Sequence, residues 1–192
     1  MRRRVVITGM GAVTPLGNDV PTFWQGLREG RCGIGPITHY DTSSQKVKLA
    51  GEVKDLPVAE YIDAKAAKRM DPFTQFAIIA AKQAYQQAGL TPENVDAERF
   101  GVLISSGIGG LNTIETEMRR GLEKGFDRVS PFFVPMNITN LAAGNVAIEL
   151  GAKGMCSCVV TACAGGTNAI GDAFRQIRDG YLDVIAAGGT ES

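Results

Sequence analysis

The sequence predicts a layered α/β domain with a largely parallel sheet, on three observations. Short apolar, β-branched runs alternate with helix-patterned stretches along the chain. Glycine or proline marks many of the junctions between them. The helical stretch opening at Ala164 carries no charge through Gly171, which predicts that its first two turns are buried on most sides, as a central helix between layers.

The elements follow in order. Arg4 to Thr8 reads as a buried strand, followed by a glycine-rich turn and a helix from about Pro21 to Glu29 whose apolar stripe is Phe23, Trp24 and Leu27. Val47 to Val53 is a short strand of imperfect alternation. Asp71 and Pro72 offer an N-cap and a proline at the first helical position, opening a helix to Ala88 that Gly89 stops. Phe100 to Ser105 is an apolar strand, Leu111 to Lys124 a polar helix and Asn137 to Leu150 a mostly apolar one. Cys156 to Thr161 is the next strand, Ala164 to Arg178 the next helix and Asp183 to Ala187 the last strand. A parallel strand normally feeds a crossover, so the pattern predicts that the fold continues past Ser192. No repeat and no low-complexity segment divides residues 1–192, which read as one unit.

Composition narrows the function. The 192 residues are 44% hydrophobic and 21% charged, enough for a sizeable core. Twenty basic residues balance twenty acidic ones, which argues against wholesale binding to nucleic acid or to a membrane surface. Arg2-Arg3-Arg4 before Val5-Val6-Ile7 faintly resembles a secretory signal, but the apolar run stops at Thr8-Gly9 and meets Pro15. A cytoplasmic chain with reduced cysteines is the expectation. Cys156 and Cys158 are separated by a single residue and His39 is far off in sequence, so no metal site and no cofactor is expected.

Gly9-Met10-Gly11 follows a strand, but Thr14 replaces the third glycine of a dinucleotide fingerprint, and a tight turn is the favoured reading. Ser105 to Gly110 resembles a phosphate loop without its lysine; a turn that carries Ile108 toward a pocket is more economical. His39, the only histidine, lies some 120 residues before Cys163 in a turn-like stretch, so a Cys-His pair is poorly supported. Cys163 stands apart from the other cysteines. It lies where a β-branched run ends and a helix begins, among Ala162, Ala164, Gly165 and Gly166. A helix N-terminus supplies unpaired N–H groups and partial positive charge that favour a thiolate, and small neighbours clear space for a substrate. Position alone leaves open a nucleophile or a packing cysteine. Lys65, Lys68 and Arg69 form a basic run that is either a solvated face or a dock for an acidic partner.

With those residues in view, the chain resembles the N-terminal half of the β-ketoacyl-acyl carrier protein synthases, the condensing enzymes of bacterial fatty-acid synthesis. The resemblance spans essentially the whole length: RRVVITGMGAVTPLG, RMDPFTQFAIIAAKQA, SSGIGGL, SPFFVPMNITNLAAGNVA, VVTACAGGTNAIGDA and AAGGTES, in family order. The wording TACAGGTNAIGDA is more like the elongating, type II branch than the type I enzymes or the polyketide ketosynthases. Met155 departs from the proline common there and bears only on a turn.

The resemblance implies one half of a thiolase-like αβαβα sandwich, normally a homodimer. It makes Cys163 the acceptor of an acyl chain from acyl carrier protein, with its own N–H as an oxyanion donor. Ile108 is implied to border the acyl pocket, Phe133 to reach a neighbouring subunit's pocket, and Lys65, Lys68 and Arg69 to dock acyl carrier protein. The histidines and lysine for decarboxylating malonyl-acyl carrier protein are implied to belong to the second half, so these residues alone are expected not to condense. The alternatives are a non-catalytic half-domain that binds carrier protein or a complementary half, and a thiolase-type enzyme using coenzyme A.

Overall fold

The computed structural model describes residues 3–192; the Arg2 of the basic opening lies outside them. Helix α1 (Val20–Arg28) begins at Asp19, whose carboxylate accepts the Thr22 N–H at 2.7 Å. Strands β1 (Ile34–Pro36) and β2 (Leu49–Gly51) pair antiparallel, Ile34 opposite Gly51. Two short helices follow, α2 (Val58–Tyr61) and α3 (Ala64–Ala67), then the long α4 (Pro72–Gln87). Beyond these come β3 (Phe100–Ser105), α5 (Leu111–Lys124), α6 (Phe133–Asn137), α7 (Leu141–Leu150), β4 (Cys156–Ser157), α8 (Gly165–Arg178) and β5 (Val184–Gly189).

The main sheet has the order β4-β3-β5, all parallel, as the alternation of strands and helices predicts. Every residue of β3 is buried, which suits a central strand covered on both faces. On one face α4 and α7 pack through Phe73, Ile78, Ile79, Ala142, Ala143 and Val146. On the other, Ala169 and Ala173 of α8 meet Leu103. Helix α4 ends as its glycine predicts, with Gly89 at φ +65°.

Five expectations need correction. Residues 4–8 form no strand; Val6 and Ile7 are exposed. The residues that follow lie along α4, where the side chains of Gln87 and Gln83 take the N–H groups of Met10 and Ala12. Gly9 and Gly11 are glycines for that close approach and not for a turn: a Cβ would sit 2.0 Å from the Ala84 carbonyl oxygen and 1.8 Å from that of Ala80. The helix expected from Asn137 starts only at Leu141. The Asn137 carbonyl, which a continuous helix would give to Leu141, accepts the Gly110 N–H at 3.0 Å.

Strand β4, expected to run to Thr161, stops at Ser157; Val159, two residues on, packs on the Leu103, Ala169 and Ala173 cluster. Helix α8 is buried on one face only. Gly165, Ala169 and Ala173 recur at four-residue spacing against the sheet, while Ile170 and Phe174 are 51% and 45% exposed.

Asp183, at the foot of β5, ties that strand to β3. It accepts from Arg99 first and from Arg3 second, and those bonds hold its carboxyl down at about 2. A carboxyl depressed in the folded state contributes stability that is complete above its ordinary value near 4 and is lost as pH falls through about 2. The difference in urea midpoint between the unaltered protein and Asp183→Asn is expected to shrink from pH 5 to pH 2. A constant difference over that range overturns the assignment. The group is half exposed, so the effect is small.

Candidate active site

Three features of the chain build the elbow at Cys163. The cysteine is the middle residue of a 3₁₀ turn, Ala162–Ala164, which runs straight into α8. Ala162 has φ +46°, a left-handed conformation that costs an L-residue on the order of 1–2 kcal/mol. Gly165 and Gly166 then let the first turn of α8 settle on the carboxyl ends of two strands. A Cβ on Gly165 would lie 1.9 Å from the Ser105 hydroxyl at the end of β3, and one on Gly166 3.4 Å from the Gly189 nitrogen at the end of β5. Cys163 is thereby held exposed at the carboxyl edge of a parallel sheet, the edge at which open α/β sheets bind ligands.

Adding a methyl group at Gly165 tests how tightly that elbow is built. Rotating the Ser105 hydroxyl does not relieve the clash, because the Ser105 Cβ is itself 2.8 Å away. Gly165→Ala is expected to destabilise the fold by about 1–3 kcal/mol, read from the urea midpoint. An unchanged midpoint shows the elbow to be looser than drawn.

Two loops flank the elbow. Residues 106–110, between β3 and α5, bring Gly107 against Ala162, and the Gly107 N–H donates to the Glu191 carboxylate. After β5, the Thr190 N–H donates to the Ser105 carbonyl at 2.9 Å and the Thr190 hydroxyl to the Phe73 carbonyl at 2.6 Å. Ile108 projects from the first loop, 60% exposed. Phe133, half-buried, opens α6, and α6 leans on the same loop through the Gly110 to Asn137 bond. Cys163 and Ile108 therefore share one end of the sheet, with Phe133 one element further out.

Lys65, Lys68 and Arg69 are all exposed, on α3 and the turn that leads to α4. The Asp63 carboxylate caps α3 by accepting the N–H groups of Lys65 and Ala66. The Arg69 guanidinium lies 4.3 Å over the Phe132 ring, the residue before Phe133, so the basic turn touches the start of α6.

His39 is exposed between β1 and β2, where its Nε2 lies 3.7 Å from Glu52 and not beside Cys163. The Thr38 N–H and hydroxyl, each at 2.8 Å, hold the Glu52 carboxyl below its ordinary value, the backbone bond most. Desolvation pushes the Cys156 thiol up, and the neighbouring Cys158 adds to the rise. Hollows of about 320 and 350 Å³ open near the start of α1, and neither is lined by Cys163, Ile108 or Phe133. Among the described residues no group of three or more His, Cys, Asp or Glu side chains is placed to hold a metal ion, and no helix is long and apolar enough to cross a membrane.

The roles of two residues near the site escaped the sequence reading, which took Asp71 for the cap of its own helix. Asp71 stands at the N-cap position of α4 but makes no cap bond there. Its carboxylate accepts the N–H and hydroxyl of Thr113, 42 residues later, at 2.9 and 2.7 Å. Glu191 faces Gly107 from the far end of the chain. No local pattern announces bonds made across such separations.

The chain is similar to known proteins over its whole length. A family model described as the beta-ketoacyl synthase N-terminal domain matches residues 2–192. The 3-oxoacyl-[acyl-carrier-protein] synthase 2 of Synechocystis is 52% identical over 191 residues, all of this chain and 46% of that protein. The protein of the same name from Staphylococcus aureus is 51% identical over 190 residues, 99% of this chain and 46% of its own length. The solved ishigamide ketosynthase/chain length factor superposes with a TM-score of 0.93 at 29% identity, covering 100% of this chain and 48% of that one. The chain thus spans about half the length of the curated relatives it matches, and the expected thiolase-like α/β fold with its parallel sheet is borne out. Since the match runs unbroken through the elbow and the loops on either side of it, the chain belongs to the β-ketoacyl synthase family.

Proposed function

We propose that this chain is the N-terminal half-domain of an elongating, decarboxylating condensing enzyme, with Cys163 as its acyl acceptor. The observation that carries the reading is the exposed cysteine on a strained turn at the head of α8, over the carboxyl ends of β3 and β5. The Cys163 thiolate attacks the thioester carbonyl of an acyl-acyl carrier protein; the carrier's thiolate leaves and the acyl chain is carried on sulfur. The Cys163 N–H, at the opening of a helical turn, is an oxyanion donor. Malonyl-acyl carrier protein then loses carbon dioxide, and the carbanion attacks the Cys163 thioester, which releases the thiolate and a chain two carbons longer.

Ile108 borders the acyl channel in this reading, and Phe133 reaches toward a neighbouring subunit's channel in a homodimer. Lys65, Lys68 and Arg69 dock the acidic acyl carrier protein, and the setting is the cytoplasm. The curated relatives carry acyl carrier protein in their name. Their length leaves room for a second half to supply the decarboxylating groups, so the 192 residues accept an acyl group without condensing.

One incubation tests this. With acyl-acyl carrier protein, mass spectrometry is expected to find the acyl group on Cys163 and not on Cys32, Cys156 or Cys158. With malonyl-acyl carrier protein, no Cys163-dependent release of carbon dioxide is expected. Indiscriminate labelling favours a non-catalytic half-domain, and carbon dioxide release overturns the division of labour.

A further inference from the structure

We propose that Asp71 is the positioning residue of the acyl pocket: it caps a helix to which it does not belong, and so fixes the loop that presents Ile108. The inference rests on the reading of Ile108 as a pocket residue.

Asp71 is 1% exposed, and a buried carboxylate is tolerated only where donors replace water. Its own helix supplies none. One oxygen takes the N–H and hydroxyl of Thr113, the third residue of α5, and the other takes the Ser192 hydroxyl at 3.2 Å. The residue at the N-cap of α5 is Gly110, which has no side chain to cap with. The first turn of α5 therefore obtains both its cap and its compensating negative charge from α4.

Gly110 fits beneath that carboxylate: a Cβ there would lie 3.0 Å from Asp71 Oδ2 and 2.6 Å from the Met136 carbonyl oxygen. From this anchored point the loop runs back to Ile108 through Gly109, at φ +79°, whose N–H donates to the Ser106 hydroxyl at 3.1 Å. The Ile108 side chain hangs free while the backbone on both sides of it is held. Beside the bonds of Gly107 to Glu191 and Gly110 to Asn137, the Asp71 to Thr113 tie anchors the α5 end of the loop, and through it the place of Ile108 and the length of acyl chain admitted.

Asp71→Asn and Thr113→Val both keep the side-chain volume and lose part of the tie. In each variant, amide hydrogen exchange at residues 107–111 is expected to quicken about tenfold, while exchange in β3 stays as it was. The ratio of Cys163 acylation by hexadecanoyl- and octanoyl-acyl carrier protein is expected to shift at least threefold. The double variant should shift no further than the larger single one. Thermal melting identifies a variant that merely unfolds, and Thr113→Ser, which keeps the hydroxyl, should restore the unaltered ratio.

Unchanged exchange at 107–111 in both folded variants overturns the tie. Quickened exchange with an unchanged chain-length ratio overturns its role in specificity. Absence of acylation in the unaltered protein overturns instead the reading of Cys163 and the pocket, and the exchange result then still decides whether Asp71 holds the loop.

Discussion

Replacing Cys163 by alanine is expected to abolish acyl transfer from acyl carrier protein, and replacing it by serine to slow the transfer at least about a thousandfold. The two substitutions fail for different reasons. Alanine has no nucleophile. Serine has one, but an alcohol needs a base beside it, whereas a thiol is already a few per cent thiolate at neutral pH. The only histidine in the chain is paired with Glu52 on the β1–β2 hairpin, so within these residues no imidazole is placed to take a serine proton.

The fold should survive either change, because Cys163 is exposed and its sulfur fills no core; a stability change within about 0.5 kcal/mol is expected. Intact mass after incubation with the acyl donor, beside a urea melt of the same sample, makes the measurement. Undiminished acylation in the alanine variant would move the chemistry to another thiol. Cys156 is the poorest candidate, since desolvation raises its pKa.

What the sequence made legible divides along a physical line. Elements specified by their own residues were read correctly. Phe100–Ser105 is apolar and β-branched enough to be a central strand, and Leu111–Lys124 was bounded correctly at both ends. Elements specified by a distant partner were not. The helix before Leu141 breaks where Gly110 claims the Asn137 carbonyl, and the chain after Val5 to Ile7 is tied to α4 side chains through the N–H groups of Met10 and Ala12. The hairpin of β1 and β2 went unseen in part because three residues of Ile-Gly-Pro carry no period.

The site shows the same division. Cys163 was singled out as a candidate from its place at the opening of a helix, and Ile108 from its glycine-rich loop; the structure puts both at the carboxyl end of the sheet. The role of Asp71 was not legible, since a carboxylate before a proline reads as a cap for its own helix while its partner stands on another.

Reversing the charge at Lys65, Lys68 and Arg69 together is expected to lower Cys163 acylation by dilute acyl-acyl carrier protein about a hundredfold, and to leave acylation by a small acyl thioester nearly unchanged. Each exposed cation facing an acidic surface contributes roughly 0.2–1 kcal/mol, and a glutamate in its place adds repulsion of similar size. Three such changes amount to about 3 kcal/mol, which is roughly two powers of ten.

The effect should fall as salt rises, because all three positions are exposed and the Debye length drops from about 10 Å at 0.1 M to about 3 Å at 1 M. An acyl-coenzyme A donor in the same assay decides against the thiolase-type alternative: faster acylation from coenzyme A, insensitive to the three reversals, would favour it.

Arg69 should separate from the two lysines. Its guanidinium rests on Phe132, directly before Phe133, and an arginine so placed is held by the ring as well as by charge. Lys65→Glu and Lys68→Glu should therefore raise only the concentration of carrier protein needed for half-maximal rate. Arg69→Glu should also alter the maximal rate, through the start of α6. If all three single variants change the half-saturating concentration alone, the stacked arginine is a docking charge like its neighbours and the contact with Phe132 transmits nothing to the pocket.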